Sequence, residues 1–190
     1  IVHVSDPDLF ASLVDVDLRL RHAGFRSALL PLDVREVQAH IHVSPTVVRI
    51  ERLEGQVGPA AFDAGGELTW TGSEFSSDVT ISMVADAANA WSWIANAVEV
   101  GPRPDVEGVV RMQATVTGRV DEPRFAGQIQ LKSVGMRIPT ILTKPLHAPA
   151  SIDFDTRLSG GSLLAIRHVG LVLPPVQIIG DGTLSLSEGM

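Results

Sequence analysis

Two histidines have the spacing that most invites metal chemistry. His40 and His42 are two positions apart in a segment predicted to be a strand, so both imidazoles face the same side. Neutral imidazoles are good ligands for zinc or copper. The local sequence places no cysteine, third histidine or carboxylate to complete a ligand set. The pair is therefore interpreted as part of a polar strand face, and no metal is expected.

Paired carboxylates are a second candidate for cation binding. Asp15 and Asp17 flank Val16, and Asp153 and Asp155 flank Phe154. Hard cations need several oxygens from a shaped loop, whereas these carboxylates alternate with apolar residues along predicted strands. They are interpreted as a solvated face.

Catalytic motifs are missing from the chain. Serine, histidine and aspartate all occur, but G-x-S-x-G, G-x-x-x-x-G-K-[ST] and G-x-G-x-x-G do not. We therefore expect no enzyme, no catalytic residues and no cofactor. A hydrolase, the third hypothesis, would need clustered carboxylates or a Ser–His contact created by the fold.

Composition excludes further classes of function. The 190 residues are 45% hydrophobic and 19% charged, and 15 basic against 22 acidic residues give a net charge of −7. Such a chain can build a core, but it has no Lys/Arg cluster to neutralise phosphates, so no nucleic acid is expected. There is no cysteine, and no window reaches the roughly 18 apolar residues of a membrane span. The start at Ile1 without a signal peptide fits a segment of a longer protein.

The elements that position these residues are mostly strands. Apolar and polar residues alternate with a period of two, which is typical of antiparallel sheet with one solvated side. The fold class predicted is therefore all-β, mainly antiparallel, with one or two short helices. The predicted strands are Val14–Arg21, Val37–Val43, Val47–Leu53, Gly66–Trp70, Val79–Met83, Val110–Thr117, Phe125–Leu131, Ala150–Asp155, Leu163–His168, Gln177–Gly180 and Thr183–Leu186. Glycines at or between strand ends, including Gly55, Gly58, Gly65, Gly66, Gly118 and Gly182, are interpreted as turns or bulges.

Two segments break the alternation. Residues 86–98 are predicted to form a helix with Asp86 as its N-cap and Gly101-Pro102 as its stop, and a shorter helix is predicted over Asp6–Val14. Trp93 lies away from the apolar stripe of the first helix, which makes it a candidate for contact with a partner or membrane. The connector Pro102-Arg103-Pro104 separates a front segment, 1–100, from a back segment, 101–190. The two are expected to form one continuous domain.

A recurring sequence pattern, called the phrase below, occurs in both the front and the back segment. Strand, glycine turn, proline, phenylalanine, glycine and strand follow one another in 53–68 and again in 116–129. In the back segment the phrase comprises Val116-x-Gly118, then Pro123-x-Phe125-x-Gly127-x-Ile129-x-Leu131. It continues with Ile152-x-Phe154-Asp155, Leu163-x-Ala165-Ile166 and Gly182-x-Leu184-x-Leu186. These residues resemble the AsmA/TamB-like proteins of Gram-negative envelopes, over about 105–190 and more weakly over 35–100. The helix at 86–98 departs from the family's pattern.

The resemblance implies a curved, groove-like sheet that carries phospholipid acyl chains for outer-membrane biogenesis and homeostasis. The parent would be periplasmic and anchored in the inner membrane, with membrane proteins as partners at either end. The residues expected to line the groove are Val110, Met112, Ala114, Val116, Ile129, Leu131, Ile152, Phe154, Leu184 and Leu186.

Two alternatives stay open. The same alternation fits a β-sandwich or a closed barrel, whose side chains fill their own interior. The chain would then be a structural or adhesive β module that binds protein or glycan.

Overall fold

Strands form wherever apolar and polar residues alternate. The computed structural model describes residues 16–26, 33–72, 74–97, 104–138, 142–159, 163–174 and 176–185. The elements are β1 (Val16–Arg26), β2 (Asp33–Val43), β3 (Val47–Val57), β4 (Ala60–Thr71), β5 (Glu74–Asp86), α1 (Ala87–Ala97), β6 (Asp105–Arg119), β7 (Arg124–Gln130), β8 (Val134–Ile138), β9 (Leu142–Lys144), β10 (Ser151–Ser159), β11 (Leu163–Leu173) and β12 (Val176–Ser185).

All twelve strands belong to one antiparallel sheet. Ten of them follow the order β1-β2-β3-β4-β5-β6-β7-β10-β11-β12, while β8 pairs with β6 and β9 with β8. Within the described residues β1 and β12 each pair with a single neighbour, so the sheet is open. The predicted all-β class with a curved sheet is confirmed, and the alternative of facing or closed layers is not what these residues form.

The predicted helix forms as α1. The Asp86 carboxylate accepts a hydrogen bond from the Asn89 amide at 3.0 Å, which confirms Asp86 as the N-cap. Ala87 is buried, and α1 packs against β5 and β6. The helix predicted over Asp6–Val14 lies outside the described residues.

Several glycines predicted as turns or bulges lie inside strands, and Gly66 and Gly182 each border a register shift between paired strands, as expected of a bulge. Gly58 does occupy a turn, with φ of 55°. Gly182 instead lies within β12, so the two short strands predicted there are one. Gly66 lies within β4 with φ of 146°, and a Cβ there would come within 2.2 Å of the Asp78 carbonyl oxygen. The ladder between β4 and β5 continues past Gly66 because glycine alone fits this close approach.

The sheet has little enclosed core. Its buried apolar side chains are mostly small, and the largest fully buried one among the described residues is Val134. β5 pairs with β6 from Ser76–Arg119 to Asp86–Val109, across the boundary predicted near residue 100. The front and back segments therefore share one sheet.

Candidate functional site: the apolar face

The strand registers sort the side chains on to two faces. Residues directly opposite one another in an antiparallel pair project from the same face, and alternate residues along a strand do so too. Following the partners from strand to strand therefore traces rows that cross the whole sheet. We call the face that carries Ile81, Met83, Met112 and Ala114 the apolar face.

The central row of this face crosses all ten strands of the main path. Apart from two glycines it is entirely apolar, and at the usual spacing of about 4.8 Å between strands its path along the sheet is roughly 43 Å. Its members are Leu20, Ala39, Leu53, Ala64, Ile81, Ala114, Gly127, Phe154, Val169 and Gly180.

A parallel row, the methionine row, runs beside the central row from β3 to β12. Its side chains are longer and more flexible, and thioethers adapt to irregular apolar partners. Its members are Gly55, Phe62, Met83, Met112, Ile129, Ile152, Leu171 and Ile178.

A third row, on the other side of the central row, also spans ten strands, and its one polar side chain is Thr156. The row consists of Leu18, Ile41, Ile50, Gly66, Val79, Val116, Phe125, Thr156, Ile166 and Gly182. Side by side, the three rows make a continuous apolar surface.

This surface is only partly covered. Ala39, Ala64 and Ala114 are buried, but the larger members of the rows are half-buried or exposed. Exposure is highest at the two edges, with Leu20 at 47% on β1 and Ile178 at 56% on β12. Exposed, contiguous apolar area of this kind makes the face the candidate binding surface.

The structure brings eight of the ten predicted groove residues together on the apolar face. Met112, Ile129 and Ile152 belong to the methionine row, Ala114 and Phe154 to the central row, and Val116 to the third. Val110 pairs with Ala85 at the end nearest α1. Leu184 lies opposite Leu164 on the edge strand. Leu131 follows β7, and its amide donates a hydrogen bond to the Ala150 carbonyl at 2.9 Å. Leu186 lies outside the described residues.

Sequence reasoning missed the front half of this surface. Phe62, Ile81 and Met83 continue the same rows, although the alternation in 79–83 already indicated which side chains share a face. Leu171 lies in an unbroken apolar run, where alternation gives no signal and only the register reveals the face.

The opposite face is polar, and many of its charged side chains form ion pairs. His40 and His42 lie on this polar face. Nδ1 of His40 is 2.7 Å from Glu51 Oε2, and Nδ1 of His42 is 3.1 Å from Asp17 Oδ1. Among the described residues no group of three or more metal-ligating side chains comes together.

The carboxylates of the back segment are paired in the same way. Arg124 donates two hydrogen bonds to Asp155, both 2.8 Å long, and this fork lowers the pKa of the Asp155 carboxyl. Gln128 donates to Asp153 at 2.8 Å. These contacts join neighbouring strands across the polar face. Asp15 lies outside the described residues.

One cation is buried outside these surface pairs. Lys144 on β9 donates hydrogen bonds to the carbonyls of Val134 and Pro145, and no carboxylate of the described residues pairs with it. Burial lowers the pKa of its amine.

Helix α1 lies over one end of the apolar face and borders a partly open cavity of about 140 Å³. Ala90 of the helix contributes to its lining. The rest comes from the sheet and the β3–β4 turn: Val57, Pro59, Ala60, Met83, Ala85, Val110, Met112 and Ile129. Trp93 belongs to α1, and its side chain lies outside the described residues.

Larger depressions with mixed polar and apolar linings occur near β1–β5. One of about 400 Å³ is lined by Arg19, Arg21 and Glu51, and another of about 510 Å³ by Glu36, Glu54 and Asp63, among others. Their lining residues lie mostly on the polar face, together with Leu20, Ala39 and Phe62 of the apolar rows.

Comparison with family models, curated proteins and solved structures finds no match to this chain. No helix in the described ranges combines the length and apolar character that crossing a membrane requires. The fold and its surface define a class of architecture: an open antiparallel sheet with one apolar face and one polar face that carries several ion pairs.

Proposed function

We propose that this chain is a non-catalytic, lipid-carrying module whose apolar face binds phospholipid acyl chains. The observation that carries the proposal is the set of almost entirely apolar rows on an open sheet. An acyl chain lying along a row would touch one strand after another, and its head group would stay in solvent.

The energetics favour a ligand of this kind. Each buried methylene contributes about 0.8 kcal/mol, so one acyl chain gains several kcal/mol without any polar recognition. An acyl chain reaches across one leaflet, roughly half of a hydrocarbon core about 30 Å thick. The central row is longer than that, so it has room for more than one chain end to end.

The family resemblance supplies the setting of the proposal. The parent would be a periplasmic envelope protein anchored in the inner membrane, and this segment would be part of its path for phospholipid toward the outer membrane. A module of this kind needs no metal, cofactor or catalytic residue.

The test is lipid analysis of gently purified protein. The chain is purified without detergent, extracted with organic solvent and analysed by mass spectrometry, and the delipidated protein is titrated with a fluorescent phospholipid. We expect at least one phospholipid per chain and saturable rebinding. An extract free of lipid together with no rebinding would refute the proposal.

A second function is favoured by the edge strand β12. Its residues are exposed throughout, with Ile179 at 63%, and within the described residues its outer edge has no partner strand. Unprotected edges pair readily with other strands. A structural module that joins other proteins edge to edge would bind such partners and carry no lipid, which the same extraction distinguishes.

A further inference from the structure

The cavity under α1 has a wholly apolar lining. The methionine row supplies Met83, Met112 and Ile129, and the neighbouring row supplies Ala60, Ala85 and Val110. Ala90 lines it from the helix side. Asp86 caps α1 and Ala87, the first residue of the helix, is buried, so the start of the helix is held beside the cavity without any ligand.

Its size and chemistry select the guest. A volume of about 140 Å³ is close to that of apolar cavities that accept a guest the size of benzene, and the apolar lining offers water few of the two to four polar partners that it needs. A head group would lose its hydration without compensation here. The end of an alkyl chain fits both the volume and the lining.

The position of the cavity gives the bound chain a direction. The methionine row runs from the cavity through Ile152 and Leu171 to Ile178 on β12, where exposure is greatest. A chain lying along this row would place one end under α1 and the other toward the open edge.

We propose that this cavity is the terminal pocket for an acyl chain: it holds the last methylenes and the ω-methyl group, and the head group points toward β12. The inference rests on the lipid-carrying function proposed above. Helix α1 thereby sets the depth to which a chain enters.

The experiment uses the four methionines as reporters. The chain is labelled with ¹³C at the methionine ε-methyls and titrated with palmitate. We expect intermolecular NOEs from the palmitate ω-methyl to Met83 and Met112 and none to Met136, which lies on β8 outside the cavity.

A matched pair of helix variants tests the depth. Ala90→Leu fills the cavity, whereas Ala88→Leu makes the same change at an exposed position two residues earlier. Each methylene is worth about a fourfold change in affinity, so excluding two or more lowers palmitate affinity at least about tenfold in Ala90→Leu. Ala88→Leu keeps the affinity of the unmodified chain.

The two proposals fail separately. Palmitate binding without ω-methyl NOEs to Met83 and Met112, or equal affinity in the two leucine variants, overturns the terminal pocket and leaves the lipid-carrying face standing. NOEs from the carboxyl-end methylenes to these methionines overturn the direction. Absence of any palmitate or phospholipid binding overturns both proposals.

Discussion

The two faces of the sheet differ in how far their side chains are covered or paired by their neighbours. On the polar face, cross-strand partners such as Arg124–Asp155 and Arg49–Glu67 meet at 2.8 Å, and water completes their solvation. On the apolar face, Met112, Phe154 and their neighbours are half-buried and still have surface left to cover. Paired charges at the surface add little stability, and these pairs join neighbouring strands of the polar face. The apolar face is therefore where a ligand would gain the most binding free energy by burying exposed apolar surface.

The largest expected effect comes from placing a charge on one face and then on the other. Met112→Glu puts a carboxylate among Met83 and Ile129, and burying it under an acyl chain is costly without a partner. We expect phospholipid binding to fall at least about tenfold, which fluorescence titration measures.

Gln113→Glu is the control for that variant. Gln113 is the next residue, it is exposed, and it lies on the polar face between Ser82 and Gln128. Its binding should match that of the unmodified chain. Equal losses in the two variants would show that the faces do not differ in ligand binding.

The next effect separates the packed centre of the apolar face from its open edge. A Cβ on Gly127 would come within 2.2 Å of the Gln113 carbonyl oxygen and 2.9 Å of the Phe154 ring, so the backbone must shift. Gly127→Ala should lower the free energy of unfolding by about 1–3 kcal/mol, as overpacking does. Urea denaturation followed by circular dichroism gives the value.

Gly182 provides the comparison at the edge. A Cβ there meets nothing within 4 Å, and the residue lies on β12. Gly182→Ala should be neutral or slightly stabilising, since alanine restricts the unfolded chain. A similar loss in both variants would contradict the distinction between centre and edge.

How far the sequence could predict this molecule follows from where alternation holds. It holds in 79–83 and 110–117, and there both the strands and their apolar faces are predicted correctly. It breaks at bulges, such as the one between Leu20 and Ala23, so strand ends were missed. The cavity under α1 could not be predicted, because it depends on Ala90 and Met112 meeting in space.

The smallest expected effect concerns pH dependence, and it contrasts Asp155, which has an ion-pair partner, with Lys144, which has none among the described residues. Asp155 has a lowered pKa because Arg124 binds its charged form, whereas burial lowers the pKa of Lys144 by disfavouring its charged form. The unfolded chain, with the ordinary lysine pKa of 10.5, then holds more protons than the folded chain just below that pH. Stability should therefore rise as the pH increases through this window.

The composition makes that window easy to observe. The chain has no tyrosine or cysteine and only two lysines, Lys132 and Lys144, so few other side chains titrate between neutrality and pH 10.5. The urea midpoint of the unmodified chain should increase across it, and Lys144→Met should remove the increase. Lys132 is exposed, and Lys132→Met should keep it. If the urea midpoint of Lys144→Met still rises with pH, burial of the Lys144 amine is not the cause of the rise.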